Sequence, residues 1–155
     1  FQSGTIRRQS RGAGRVLLHI VARGKIGRSP EADLVTRYLK RMRWPTRLSE
    51  LPDRGGKVPD IEAQTRIVML DETGRTLSST ELADQLALWR DDGVREPRFM
   101  IGAADGFDAQ DRASADLLLS FGRATWPHLL ARAMLAEQLY RATAILAGHP
   151  YHREG

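Results

Sequence analysis

Three short apolar runs, each followed by a helix-like pattern, constrain the fold of this chain more than any other feature. They read RVLLHIVA (15–22), RIVML (66–70) and PRFMIG (97–102). Apolar runs of this length, bounded by Gly, Pro or charged residues, are typical of strands buried on both faces. Strands that alternate with helices predict an α/β domain with a mostly parallel sheet, whose ligand loops lie at the carboxyl ends of the strands.

Capping signals predict the first two helices. Ser29-Pro30 precedes apolar residues at helical spacing, which predicts a helix over about residues 30–42. Ser78 and Glu81 form a capping box, so a second helix is expected to begin there and to end near Trp89.

Two more helices are predicted in the second half of the chain. Asp108 is a suitable cap for a helix that continues through Leu118. Pro127 suits the start of a long helix over 127–147, and Gly148 is well placed to end it.

The remaining segments are predicted to be short strands and loops. Residues 46–51 (TRLSEL) form a short strand and 52–60 a loop rich in Gly, Pro and charge, while 71–75 (DETGR) form a turn. Residues 119–125 give a last short strand or loop. His19, inside the first apolar run, is expected to be a core residue with satisfied hydrogen bonds.

Composition narrows the class of protein. The 155 residues, 41% hydrophobic and 28% charged, suit one globular domain. The absence of cysteine excludes disulfides and fits a reducing cytoplasm, and no apolar run approaches the roughly 20 residues that span a bilayer. Residues 1–14 begin with FQSG and lack apolar periodicity, which is typical of an expression-tag linker. The domain is therefore assigned to residues 15–155.

The net charge of +5 is unevenly distributed, and three arginines of residues 1–14 contribute to it. Residues 15–66 carry twelve Lys and Arg against six Asp and Glu, whereas residues 67–155 carry nine against thirteen. This asymmetry is compatible with a phosphate-facing surface, and an ordinary solvated face is the alternative. The basic residues that share one face of the first predicted helix are Arg37, Lys40 and Arg41.

Several motifs are too weak to assign a function by themselves. His149 and His152 have the spacing of a metal-ligand pair, but no convincing further ligands accompany them, so no metal site is assigned. The turn at 101–106 (IGAADG) lacks both GxGxxG and a Walker lysine, and no GxSxG nucleophile turn is present. Trp126-Pro127-His128 opens a helix, where free backbone N–H groups either face a ligand or only begin the helix.

Longer motifs resemble those of one known family. They are RIVMLDETGR (66–75), FMIGAADGF (99–107) and WPHLLARAMLAEQLYRATAILAGHPYHRE (126–154). In this order they resemble the RlmH family, the SPOUT-class methyltransferases that modify N3 of a pseudouridine in bacterial large-subunit (23S) ribosomal RNA. The resemblance runs over nearly all of residues 15–155. It departs at Ala103-Ala104, where the family commonly has Gly-Pro.

The resemblance implies a fold, a cofactor and partners. The fold would be an α/β knot, a mostly parallel sheet flanked by helices whose C-terminal segment threads a preceding loop. The protein would be a cytoplasmic homodimer that acts on ribosomal RNA, within the large subunit or the assembled ribosome, with S-adenosylmethionine bound in the knot loops. The implied cofactor contacts are Leu70, Gly102, Phe121, Gly122, Arg123, Ala124, Thr125 and Trp126.

The same resemblance assigns the substrate side of the reaction to the C-terminal tail. His152 is expected to handle the N3 proton, because an imidazole exchanges protons near neutral pH. Tyr151 would stack on or hydrogen-bond the base, and Arg141 would complete this catalytic group. His128 and Arg153 are implied substrate contacts, and we expect the basic face of the first helix to add phosphate contacts.

Two other functions stay open at the level of sequence. A non-catalytic RNA-binding or ribosome-associated protein would also explain the basic first half and the altered IGAADG turn. A metal-dependent hydrolase built on His149 and His152 would require bound metal.

Overall fold

A five-stranded sheet forms the centre of the fold. The computed structural model describes residues 16–103 and 105–154, without the side chains of Arg153 and Glu154, so the predicted linker 1–14 lies outside the described residues. The elements in chain order are β1 (Leu18–Arg23), α1 (Pro30–Arg41), β2 (Thr46–Leu51), β3 (Thr65–Thr76), α2 (Ser79–Asp91), β4 (Glu96–Ile101), α3 (Ala109–Ser114), β5 (Leu117–Ser120), α4 (His128–Leu146) and α5 (Tyr151–Glu154). The strand order is β2-β1-β4-β3-β5 and all neighbouring strands are parallel. The predicted α/β class is confirmed.

Three helix boundaries follow local signals in the sequence. At α1, the Ser29 hydroxyl accepts a hydrogen bond from the Ala32 N–H at 3.1 Å. At α2, the Glu81 N–H donates to the Ser78 hydroxyl at 3.0 Å and the Ser78 N–H donates to the Glu81 carboxylate at 2.8 Å. Gly148 follows α4 with a φ of +73°, a conformation that glycine adopts without strain. These predicted boundaries are confirmed.

Strand β3 is longer than predicted. Residues 71–75 were expected to form a turn, but the strand continues to Thr76, so this prediction is wrong. Pairing with β5 stops after Leu70 and resumes at Arg75, which makes residues 71–74 an irregularity within the strand. The composition of residues 71–75 favours a turn. Pairing with β5 before and after this segment keeps the chain in the strand instead.

Residues 115–118 also differ from the prediction, whereas Leu119 and Ser120 lie in a strand, one of the two predicted alternatives for 119–125. A helix was expected to continue through Leu118, but α3 ends at Ser114 and the next residues form β5. The Asp116 carboxylate accepts a hydrogen bond from the Ile67 N–H at 2.7 Å, which ties the start of β5 to β3. Leu117 and Leu119 are buried, so the extended conformation places alternate leucines in the core.

The main core lies between the sheet and the long helices. Leu86 of α2 and Leu135 and Leu139 of α4 are fully buried and belong to one cluster with Ile20 and Phe99 of the sheet. Helix α4 also packs against α1. Whether α4 threads a loop is not decided by strand order, so the knot stays a prediction. The packing places both ends of α4 at the edge of the core, where functional residues are expected.

A buried arginine secures the segment between β2 and β3. Arg98 is 1% exposed, and its guanidinium donates to the carbonyl oxygens of Pro59 and Asp60, both at 2.6 Å. It also donates to the Glu96 carboxylate at 2.8 Å. Because a buried guanidinium is costly without partners, these contacts hold the irregular segment close to the sheet.

His19 is a core residue with both ring nitrogens occupied, as predicted. Its ring nitrogens lie 2.6 Å from the Glu96 carboxylate and 2.7 Å from the Ser49 hydroxyl. Burial lowers the pKa of His19 despite the opposing effect of Glu96. Burial alone would raise the pKa of Glu96, but hydrogen bonds from Arg98 and His19 hold that pKa below its ordinary value.

The irregularity in β3 requires a glycine. A Cβ atom at Gly74 would lie 2.5 Å from the carbonyl oxygen of Leu118, closer than packed atoms approach. We therefore expect Gly74→Ala to lower the free energy of unfolding by about 2–3 kcal/mol, measured by urea denaturation. The matched control is Gly93→Ala, because Gly93 has a φ of +87° but nothing within 4 Å of an added Cβ. Gly93→Ala should lower the free energy of unfolding by only about 1 kcal/mol. Equal decreases in both variants would contradict the steric explanation.

Candidate functional site

Residues 70–72 of β3 and the loops that follow β4 and β5 enclose a cavity of about 380 Å³. Most of the residues predicted to hold a cofactor line this cavity, although the sequence separates them into three groups. Arg123 lies in the same loop but does not line it. Because parallel strands carry their carboxyl ends to one edge, these three segments meet. The predicted cofactor residues brought together there are Leu70, Gly102, Phe121, Gly122 and residues 124–126.

Hydrogen bonds from the end of β5 shape the cavity wall. The Ser120 hydroxyl accepts from the Gly122 N–H at 3.0 Å, and its own proton is shared between the carbonyl oxygens of Gly122 at 2.8 Å and Glu72 at 3.2 Å. The Thr125 hydroxyl donates to the Glu72 carboxylate at 2.9 Å. The loop after β5 is thereby joined to the irregular part of β3, and Glu72 is held at the cavity.

The turn after β4 closes another side of the cavity. Gly106 has a φ of +72°, and its N–H donates to the Ala103 carbonyl oxygen at 2.8 Å. A Cβ atom at Gly102 would lie 3.3 Å from the Gly106 backbone, which leaves little room for a larger residue at this position. The turn therefore brings backbone close to the cavity at Gly102 and Gly106, beside the side chain of Asp105.

The cavity is lined by apolar surface, by carboxylates and by the N-terminus of a helix. Phe121 and Trp126 supply aromatic surface, and Trp126 is 43% exposed. Glu72 and Asp105 supply carboxylates. His128 begins α4, whose N-terminus has no side-chain cap, so partial positive charge faces the cavity at that end. Both carboxylates lie in segments that the sequence predicted to be ligand loops at strand ends, 71–75 and 102–108, but neither residue was singled out.

A second group of polar residues surrounds the end of α4. Arg141 forms an ion pair with Glu137 at 2.7 Å and lies over the Tyr151 ring, with its guanidinium carbon 4.9 Å from the ring centroid. The Tyr151 hydroxyl donates to the same Glu137 carboxylate at 2.8 Å. Arg141 also lies 3.2 Å from Nδ1 of His152. We call Glu137, Arg141, Tyr151 and His152 the tail cluster.

The tail cluster fixes the protonation of two of its members. Burial, then the hydrogen bond to Glu137, raises the pKa of Tyr151 well above its ordinary value, so its phenol is neutral and donates. The hydrogen bond to Glu137 also raises the pKa of Arg141. Because a guanidinium only donates, Nδ1 of His152 accepts its hydrogen bond, and a neutral ring carries its proton on Nε2.

The tail also has packing contacts that the sequence did not indicate. The Tyr151 ring lies edge-on to Tyr140 at a centroid distance of 4.7 Å, and Tyr140 lies 5.8 Å from Tyr38 of α1. Nδ1 of His149 accepts a hydrogen bond from the Tyr151 N–H at 3.1 Å. No group of three or more His, Cys, Asp or Glu side chains suited to a metal occurs within 16–103 and 105–152.

The cavity and the tail cluster lie at opposite ends of α4. His128 at the cavity and Arg141 in the cluster are thirteen residues apart, which corresponds to about 20 Å along a helix. The structure thus groups the predicted cofactor residues and the predicted catalytic residues, but in two places within one chain. The side chain of Arg153 lies outside the described residues.

The predicted phosphate contacts are exposed on α1. Arg37, Lys40 and Arg41 are all exposed, and the neighbouring Tyr38 packs against Tyr140 of α4, which in turn contacts Tyr151. The basic face of α1 therefore borders the tail cluster. In the described part of the chain, none of the helices is long and apolar enough to cross a membrane.

The sequence is similar to a family of known proteins. The family profile described as "Predicted SPOUT methyltransferase" matches residues 16–152. The chain is 69% identical over 140 residues to a ribosomal RNA large subunit methyltransferase H from Rhizorhabdus wittichii, covering 90% of this chain and all of the relative. The protein of the same name from Erythrobacter litoralis is 67% identical with the same coverage. That from Cereibacter sphaeroides is 48% identical, covering 88% and 98%.

The raised pKa of Tyr151 predicts a pH dependence. A tyrosine whose pKa is higher in the folded state stabilises the fold below the ordinary value of about 10, and this stabilisation is lost as pH rises toward the raised value. We expect Glu137→Gln to lower the pKa of Tyr151, because the charge that favours the phenol is removed. Absorbance titration of tyrosinate checks this, with Tyr151→Phe as the control that identifies the Tyr151 signal. An unchanged titration in Glu137→Gln would contradict the assigned hydrogen bond.

Proposed function

The chain belongs to the RlmH family of SPOUT methyltransferases, and on this basis we propose that it transfers a methyl group from S-adenosylmethionine to N3 of a pseudouridine in 23S ribosomal RNA. The observation that carries the proposal is the cavity at the ends of three strands, lined by seven of the eight cofactor residues that the family resemblance implies. A ribosomal substrate implies that the enzyme works in the cytoplasm.

The residues of the cavity fit S-adenosylmethionine. Leu70, Phe121 and Trp126 offer apolar and aromatic surface to an adenine ring. The uncapped N-terminus of α4 suits the carboxylate of the cofactor, and Glu72 and Asp105 suit its positive groups. When bound, S-adenosylmethionine supplies a methyl group on a positively charged sulfur.

The protein mainly has to position the nucleoside. Alignment of a nucleophile with the methyl group can lower a barrier by ~7–11 kcal/mol. In this proposal the neutral phenol of Tyr151 stacks on or hydrogen-bonds the base, and Arg141 and His128 contact the substrate backbone. These contacts hold N3 toward the cavity.

His152 is proposed to handle the proton of N3. In the described arrangement its Nδ1 is occupied by Arg141 at 3.2 Å, so the ring offers only an N–H donor at Nε2. If Arg141 turns toward a substrate phosphate, Nδ1 becomes free to accept the N3 proton. Binding of RNA would thereby convert His152 from a donor into a general base.

A homodimer is proposed because the two halves of the site are separate in one chain. The distance of about 20 Å along α4 is too large for His152 to reach a base at the cavity of its own chain. In a twofold dimer, the tail of each subunit can lie over the cavity of the other. Such a dimer contains two complete sites. Trp126, 43% exposed at the cavity, is available to such a contact.

Mass mapping of ribosomal RNA tests the activity. Ribosomes from a strain that lacks the enzyme are incubated with the purified chain and S-adenosylmethionine. One pseudouridine-containing fragment should gain the mass of a methyl group, and the His152→Ala control should give no gain. Calorimetric binding of the cofactor separates an enzyme from a non-catalytic RNA-binding protein, since absence of both heat and methylation would overturn the proposal.

Mixed dimers test the shared site. His152→Ala removes the tail function, and Gly102→Val fills the cavity, where even a Cβ atom lies 3.3 Å from the Gly106 backbone. Each variant alone should be inactive, while an equal mixture of exchanging subunits should recover roughly a quarter of the wild-type activity, because half of the dimers contain one intact site. No recovery in doubly tagged, co-purified heterodimers would show that each site belongs to one chain.

The basic face of α1 should contribute to RNA binding. Reversal of Arg37, Lys40 and Arg41 to Glu should weaken ribosome binding strongly and reduce its dependence on salt, while cofactor affinity stays unchanged. Filter binding across a salt series measures this. Arg95→Glu is the control, because Arg95 is exposed before the amino end of β4, away from the cavity. Equal binding of the triple variant and the wild type at low salt would indicate an ordinary solvated face.

A further inference from the structure

The cavity at the strand ends has an unusual charge for a site that is to hold a carboxylate-bearing ligand. Its charged side chains are Glu72 and Asp105, and the described residues that line it include neither lysine nor arginine. Arg123, although in the loop after β5, does not line it. The lining side chains therefore make the cavity electronegative.

Glu72 is held in place by the surrounding fold. Its carboxylate accepts a hydrogen bond from the Thr125 hydroxyl at 2.9 Å, and its carbonyl oxygen accepts one from Ser120 at 3.2 Å. It lies in the irregular part of β3, between Leu70 and Arg75, where the ladder with β5 is interrupted. The interruption thus carries a carboxylate to the cavity instead of pairing it with β5.

The donor and its product differ in one charge. S-adenosylmethionine has an ammonium, a carboxylate and a sulfonium and so carries a net charge of +1, whereas S-adenosylhomocysteine has lost the sulfonium and is neutral. Carboxylates near the ammonium attract both molecules equally. A carboxylate near the sulfur adds an attraction that acts on the sulfonium of the donor and not on the thioether of the product, and because Glu72 and Asp105 are exposed, salt weakens this attraction.

We propose that Glu72, assisted by Asp105, makes the cavity bind the sulfonium donor more tightly than its neutral thioether product. This inference rests on the proposed function and adds a specificity-determining role to two residues outside the expected cofactor contacts. The carboxylates favour entry of the donor, and once the methyl group has left, the product loses this attraction. Release of the product and its replacement by a new donor are thereby made easier.

Calorimetry with three probes tests the inference without any reaction. The probes are S-adenosylmethionine, S-adenosylhomocysteine and sinefungin, which carries a protonated amine near the position of the sulfonium. The wild type should prefer both charged probes. In Glu72→Gln the ratio of donor to product affinity should fall by about tenfold, equivalent to about 1.4 kcal/mol, and the preference for sinefungin should fall with it. Asp105→Asn should act in the same direction.

Two controls separate charge from structure. Asp84→Asn removes a carboxylate from the exposed face of α2 and should leave the ratio unchanged. Thr125→Val removes the hydrogen bond to Glu72 but keeps its charge, so it should lower the ratio less than Glu72→Gln. If Glu72→Gln does not fold, the ratio of donor to product affinity of the wild type is measured at low and high salt instead. Screening by salt should reduce the preference for the charged probes.

The outcomes distinguish this inference from the proposed function. Equal loss of affinity for all three probes in Glu72→Gln, or an unchanged ratio in both carboxylate variants, overturns the inference while cofactor binding stands. A wild-type ratio that does not respond to salt overturns it as well. Absence of binding of every probe to the wild type overturns the proposed function and the inference together.

Discussion

The close approach of β3 to β5 at Gly74 is the contact on which the site depends. Because Gly74 has no Cβ, the strand returns to its partner beside Leu118 after four residues outside the regular ladder. Those four residues, 71–74, extend the wall of the cavity and carry Glu72 to it. A regular strand would have alternated these side chains between the two faces of the sheet, and the loop after β5 would have lacked its hydrogen bond to Glu72.

Helix α4 relates the two functional regions. Its first turn borders the cavity through His128, and its last turns hold Glu137 and Arg141 of the tail cluster. Its middle is fixed by burial of Leu135 and Leu139 in the main core. A helix of 19 residues therefore sets a fixed spacing between the cavity and the tail cluster. Under the proposed function, that spacing is what makes a second subunit necessary.

The tail is ordered by the groups that are proposed to do chemistry. Glu137 accepts from both Arg141 and Tyr151. Burial, followed by this hydrogen bond, raises the pKa of Tyr151, and the hydrogen bond to Glu137 raises the pKa of Arg141. Two side chains bound to one carboxylate, with His152 held by Arg141, are restrained before substrate arrives, which reduces the entropy lost on binding. The same carboxylate keeps Arg141 against His152, so substrate phosphate would compete with it for Arg141.

The sequence by itself determined the features that depend on neighbouring residues. The capping box at Ser78, the helix end at Gly148 and the apolar runs that become β1, β3 and β4 involve contacts within a few positions, and they were predicted correctly. The cofactor residues were named from the family resemblance rather than from their own pattern. Only the tertiary structure decided the extension of β3 and the extended conformation of residues 117–118, which were predicted to be helical. It also decided the presence of Glu72 in the cavity and the separation of the cavity from the tail. These depend on strand register and on pairs such as Gly74 with Leu118, which lie far apart in the chain, and local propensity carries no information about which distant backbone a residue will meet.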